Sequence, residues 1–199
     1  MFYTQQIPKL AFALTSFGLV VACSGGGGGQ GGATQTFGQQ NSEAQSLTSA
    51  FLDGNGQQLS SAIIAPDDSL SGQGTGTYDG FITGESDGNA FVATLELGVD
   101  LDALSLDGTA SDFTLEDETT LTGTINGSGG INDASTVLPQ VTLTLTGTLA
   151  DSGTDLPTQL ALDGNFYQSG SDAVGAIAGT VEGEIGNNPV LNGLFASER

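Results

Sequence analysis

The chain contains no histidine and no tryptophan, a single cysteine (Cys23), a single methionine (Met1), and two basic side chains, Lys9 and Arg199. Each absence excludes a chemistry. With no histidine and one thiol, neither a Ser/His/Asp nor a Cys/His constellation can be assembled. A zinc site with nitrogen and sulfur ligands is excluded on the same ground, and one cysteine forms no intrachain disulfide. Against the two bases stand 23 aspartates and glutamates. A surface that negative repels phosphate backbones, which excludes nucleic acid as a partner. It is also pushed away from anionic lipid headgroups, so contact with a membrane needs something other than charge. Because the carboxylates are spread along the chain, their first role is solubility and resistance to self-association.

What is abundant is glycine, 32 of 199 residues, together with threonine and serine. From about residue 74 these residues alternate with apolar ones at a period of two. Val141, Leu143, Leu145 and Leu149 fall on one side of a run whose other side is Thr142, Thr144, Thr146 and Thr148, the pattern of a half-buried strand. Phe91, Ala93, Leu95, Leu97 and Val99 line a second run; Leu121, Gly123 and Ile125 a third; Leu160, Leu162, Gly164 and Phe166 a fourth. Turn residues separate the runs: Glu85–Asn89, Asn126–Gly130, Asp151–Asp155 and Asn187–Pro189. The pattern predicts eight strands over 75–83, 90–99, 103–109, 119–126, 139–149, 158–166, 174–183 and 190–197. Short connections favour antiparallel neighbours, and eight strands close into a barrel filled by its own side chains. The expected fold is therefore all-β, a single antiparallel eight-stranded β-barrel, with a β-sandwich as the alternative. Outward positions are polar, the reverse of a barrel that spans a membrane.

Residues 1–22 have a different character. Lys9 precedes an apolar run, Leu10–Ala22, too short to span a bilayer and of the length of a signal-peptide core. The run ends in Val20-Val21-Ala22-Cys23, which resembles a bacterial lipobox. That resemblance implies cleavage before Cys23 and lipidation of Cys23, and Ser24 in place of Asp implies sorting to the outer membrane. Two or three acyl chains, at about 0.8 kcal/mol per buried CH2, make a durable anchor. Residues 23–40 read as a lipidated cysteine with a flexible glycine-rich tether. Its residues 25–40 have a reach of about 22 Å. Residues 41–73 are ambiguous: Ser42 and Gln45 have capping-box spacing, which predicts a short helix over 42–52, and Leu59–Ala65 is an apolar run for a strand or for packing on the head. The head itself is expected over 74–199.

Within the head, Gly164-Asn165-Phe166-Tyr167, then Val174-Gly175, then Gly193-Leu194-Phe195 and the final Arg199 resemble the closing part of the transferrin-binding protein B barrel. Gly164, Phe166, Tyr167, Val174, Gly175, Gly193, Phe195 and Arg199 match that family's pattern, and Tyr78-Asp79-Gly80 adds to the likeness. Gln168, Ser169, Ala173, Ala176 and Ala178 depart from it, as do Ala196, Ser197 and Glu198. The resemblance implies a surface lipoprotein whose barrel is a non-enzymatic binding module, with these residues serving core and turn roles. It leaves the ligand open, as an unidentified protein or a small solute. Transferrin is bound by large two-lobed members with handle domains, whereas this chain has one barrel. The alternative is a structural or accessory coat lipoprotein with no specific ligand.

Two carboxylate clusters, Asp100 with Asp102 and Glu116-Asp117-Glu118, are the weak candidates for calcium, which takes six to eight oxygen ligands. Neither has the spacing of a calcium loop, so the expectation is no metal, no cofactor and no catalysis. Metabolic labelling with a fatty-acid analogue should tag the protein and place it in the membrane fraction. Cys23→Ser should abolish both; a tagged Cys23→Ser chain would refute the anchor.

Overall fold

The computed structural model describes residues 35–66, 70, 73–132 and 140–199. The expected leader (1–22), Cys23 and the tether up to residue 34 lie outside the described residues. One helix, α1 (Phe37–Thr48), precedes ten strands: β1 (Thr75–Ser86), β2 (Asn89–Asp100), β3 (Ser105–Leu115), β4 (Thr120–Leu121), β5 (Ile125–Asn132), β6 (Gln140–Asp151), β7 (Thr154–Ser169), β8 (Asp172–Ile185), β9 (Asn188–Pro189) and β10 (Leu191–Glu198). The pairing runs β10-β1-β2-β3-β5-β6-β7-β8, and β10 also pairs β8. Every pairing is antiparallel, and the sheet closes on itself as the expected barrel. A sandwich would keep free edges between two sheets, so this closure rules it out.

Two short strands complete the eight staves. β4 pairs β3 and then gives way at Thr122, which exchanges hydrogen bonds of 2.9 and 2.7 Å with Ala150 on β6. Gly123 takes φ 120° at that step, and β5 continues between β3 and β6. The fourth stave thus covers 120–132 with an irregularity, in place of the expected 119–126. β3 reaches Leu115 instead of ending at 109, carried past Asp112 by a bulge at φ 53°. The hairpins at Asp87-Gly88 and Ser152-Gly153 have positive φ at both central residues, the geometry whose twist matches the flanking strands.

The Asn126–Gly130 stretch, expected as a turn, lies inside β5. Ile125 and Ile131 fill its inner face. Between them a Cβ on Gly127 would lie 1.8 Å from the Thr144 carbonyl oxygen, and one on Gly129 2.0 Å from that of Thr142. The glycines are there because β5 and β6 approach too closely for side chains, not because the chain reverses. Elsewhere the inner face carries apolar side chains, including Tyr78, Phe91, Phe113, Phe166 and Phe195, all buried.

The helix begins earlier than expected. Thr36, not Ser42, is the N-cap, in a reciprocal capping box with Gln39, and the tether therefore ends before residue 37. α1 buries Gln40, Ala44 and Thr48, four residues apart on one face, and packs across the outside of β1, β2 and β10. The chain then runs on as a strap. Phe51 and Leu52 are buried against Tyr167, Ala176, Ala178 and Ala196 on the outer face of β7, β8 and β10. Three alanines make that floor shallow enough for the strap to lie flat. Farther on, Ala65 N–H donates to the Phe166 carbonyl and Gln168 N–H to that of Ile63, each at 2.9 Å. These bonds complete the edge of β7 beyond Asn165, where β6 stops. Residues 41–73, ambiguous in sequence, are in their described part a helix and a strap on the barrel wall.

Gly129→Ala should destabilise the fold by about 1–3 kcal/mol, the usual cost of forcing atoms into filled space. Gly130→Ala, whose Cβ would meet nothing nearer than 4.0 Å, should leave stability unchanged or raise it. Urea denaturation of the two variants measures the contrast, and equal losses would refute the close approach of β5 and β6.

Candidate functional site

The residues singled out at the end of the chain come together at the seam where the barrel closes. Gly164, Phe166 and Tyr167 are on β7, Val174 and Gly175 on β8, and Gly193 and Phe195 on β10. Phe166 and Phe195 point into the core, and a Cβ on Gly164 would sit 2.7 Å from the Phe195 ring. Tyr167 points outward, but it is covered: the strap's Phe51 ring packs on it at 5.2 Å between centroids. The alternation along β7 shows which face Tyr167 occupies and not what lies over it. The connection between β7 and β8 is only Gly170-Ser171, since the two strands continue to Ser169 and from Asp172, past the expected bounds at 166 and 174.

Tyr78 and Arg199 fasten the seam. The Tyr78 hydroxyl donates to the Val174 carbonyl at 2.6 Å, with its ring edge-on to Phe166. Burial pushes the Tyr78 phenol up to about 12, with the Arg199 charge acting in the other direction. Burial also raises Tyr167, with Asn165 opposing it. The Arg199 backbone N–H donates to Gly175 (2.9 Å) and its guanidinium to the Thr75 carbonyl (3.0 Å), 4.0 Å from the Asp172 carboxylate. The guanidinium lies where Gly76 has no side chain. These are packing and latching roles.

The two calcium candidates are not brought together. Asp100 and Asp102 sit at the β2–β3 turn and Glu116–Glu118 at the β3–β4 turn, on opposite ends of β3, roughly 35 Å apart along the strand. Each is engaged locally. Asp100 accepts the N–H groups of Asp102 and Ala103 (3.0 and 2.8 Å). Asp117 accepts that of Thr119 (3.0 Å), which holds its carboxyl below the usual range. Glu118 accepts the N–H of Phe37 at 3.0 Å, placing a carboxylate on the N-terminal end of α1, a favourable position. No local signal in the sequence could pair residues 81 positions apart. Among the described residues, no group of three or more acidic side chains is arranged to hold a metal ion.

The barrel's end opposite Arg199, where the 87–88, 116–119, 152–153 and 186–187 turns gather, opens into a hollow of about 230 Å3. Its floor is Leu115, Leu121, Leu156 and Ile185, and its rim carries Asp87, Asp117 and Asp151. Ser86, only 8 % exposed, faces into it from the end of β1. A larger groove of about 580 Å3 crosses the outer face of β1–β3. It is a wide polar trough over Gly76 and Gly98, and it lacks the apolar floor that small-molecule sites usually have. The mouth combines an apolar floor with converging polar groups. Sequence reasoning missed it because its residues come from several separate strands and turns.

No protein-family model, curated protein or solved structure matches the chain. The geometry is therefore the only guide to what the mouth does.

A tyrosine whose folded pKa is raised stabilises the fold below its ordinary value of 10.0 and loses that contribution as pH climbs towards about 12. The melting temperature should accordingly fall across that window, with tyrosinate absorbance from Tyr78 appearing only as the barrel opens. Tyr78→Phe should be less stable at neutral pH and show a shallower alkaline fall. An unchanged slope would show that Tyr78 is not the group being titrated.

Proposed function

We propose that the chain is a non-enzymatic lipoprotein, anchored to the outer membrane through Cys23, whose barrel is a binding module for a solute or protein ligand. The observation that carries this reading is the mouth: a hollow with an apolar floor and a polar rim, on a barrel otherwise filled by its own side chains. The lipobox and the likeness to the transferrin-binding protein B barrel point to the same class. The lack of histidine and of any thiol besides Cys23 removes the usual nucleophile–base pairs. The reading includes no cofactor and no nucleic acid, and its membrane contact is the anchor. Millimolar calcium should leave the melting temperature unchanged.

The second reading, a coat or accessory lipoprotein without a specific ligand, is favoured by the turns. They are short and built from Gly, Asn, Ser and Asp, whereas binding hot spots are rich in aromatic residues and arginine. Capture separates the two. The purified chain is immobilised, exposed to outer-membrane extract and spent growth medium, and the retained material identified by mass spectrometry. One partner or solute that free protein competes off is the expected result. A blank from a demonstrably folded barrel would overturn the binding module in favour of the coat.

A further inference from the structure

The hollow at the mouth carries charge of one sign. Three carboxylates stand on its rim, and the only base outside the leader, Arg199, is latched at the other end of the barrel. Nothing in the head can neutralise the rim, so its potential is negative and focused over a low-dielectric apolar floor. The carboxylates are not arranged to share one metal ion, and they come from three separate turns around the opening. The Ser86 hydroxyl, within a residue more than nine-tenths buried, makes no hydrogen bond to a described residue and is directed into the same hollow.

We propose that this mouth is a binding site for a small organic cation, an ammonium group on a short hydrocarbon body. The inference rests on the binding-module reading and names its ligand class. The hydrocarbon packs on Leu115, Leu121, Leu156 and Ile185, while the ammonium donates to the rim carboxylates and to Ser86. An anion is repelled, and a neutral solute gains only the floor. A bare metal ion makes no use of the leucines. The volume of about 230 Å3 is below the roughly 300–1,000 Å3 of sites for drug-sized ligands, which limits the ligand to a small one.

The test is a titration of the full chain in detergent with cyclohexylammonium chloride at constant ionic strength, followed by methyl NMR of the four floor residues. Cyclohexanol and calcium chloride are the matched probes. Saturable shifts of the floor methyls by the ammonium, and weaker binding of cyclohexanol, are expected. The double variant Asp87→Asn/Asp151→Asn should weaken ammonium binding roughly fivefold, the scale of two exposed ion pairs. Asparagine before glycine is as favoured a hairpin pair as aspartate before glycine, which covers Asp87, and Asp151 ends β6 outside the two positive-φ turn residues Ser152 and Gly153, so the variant should keep its fold and its melting temperature. Equal affinity for cyclohexanol, an unchanged affinity in the double variant, or no saturable shift would each overturn the assignment. A captured ligand still held by the double variant would overturn the cation while leaving the binding module standing. A blank capture with no saturable shift would overturn both.

Discussion

The structure depends on the contact of β10 with both β1 and β8. An open sheet of eight staves would present two rows of unpaired amides to any passing strand, and natural sheets guard such edges with lysines, prolines or bulges. The head has no lysine to place there. Closure removes the edges altogether, and it sets conditions on the residues nearby. A Cβ on Gly80 would sit 2.0 Å from the Ala196 carbonyl oxygen, one on Gly179 2.0 Å from that of Asp163, and one on Gly193 2.2 Å from that of Val181. The seam closes because these positions are bare. On the outside, Ala176, Ala178 and Ala196 leave the low wall on which the strap's Phe51 and Leu52 are buried. The seam, the strap and the burial of Tyr167 therefore share one cause.

The second constraint is the scarcity of positive charge. Where other proteins pair acids with lysine and arginine, several carboxylates here accept backbone N–H groups at turns and caps. Asp53 takes those of Asn55 and Gln57, Asp100 those of Asp102 and Ala103, Asp172 that of Val174, and Glu118 that of Phe37. A short carboxylate that turns back on its own backbone organises a turn without a partner charge. The acidic residues therefore build turns even as they charge the surface. At the mouth, where turns gather, Asp117 likewise accepts the Thr119 N–H, and Asp87, Asp117 and Asp151 line the opening with no base among them.

The barrel was legible because the alternation along β2, β6 and β7 has the period of a strand, and only the inward set is apolar. Glycine was ambiguous. In Asn126–Gly130 the residues that mark a turn are the same ones that permit close approach between strands, and nothing local separates the two uses. The sequence puts the helix's N-cap six residues too late because Thr36/Gln39 and Ser42/Gln45 share the same capping spacing. What decided between them was which face could rest on the barrel, through Gln40, Ala44 and Thr48.

The sequence by itself determined the eight strand periods, the turns within Glu85–Asn89 and Asp151–Asp155, the excess of acid over base, and the chemistries its missing residues exclude. All of these follow from residue type and from neighbours a few positions away. Only the tertiary structure decided that β10 closes on β1, that residues 51–65 become a strap, that Glu118 caps a helix starting 81 residues earlier, and that Ser86, Leu121, Leu156 and Ile185 meet at one mouth. Those contacts join residues far apart in the chain. Their selection is set by strand register and by the space each side chain leaves, quantities that exist only once the sheet has closed.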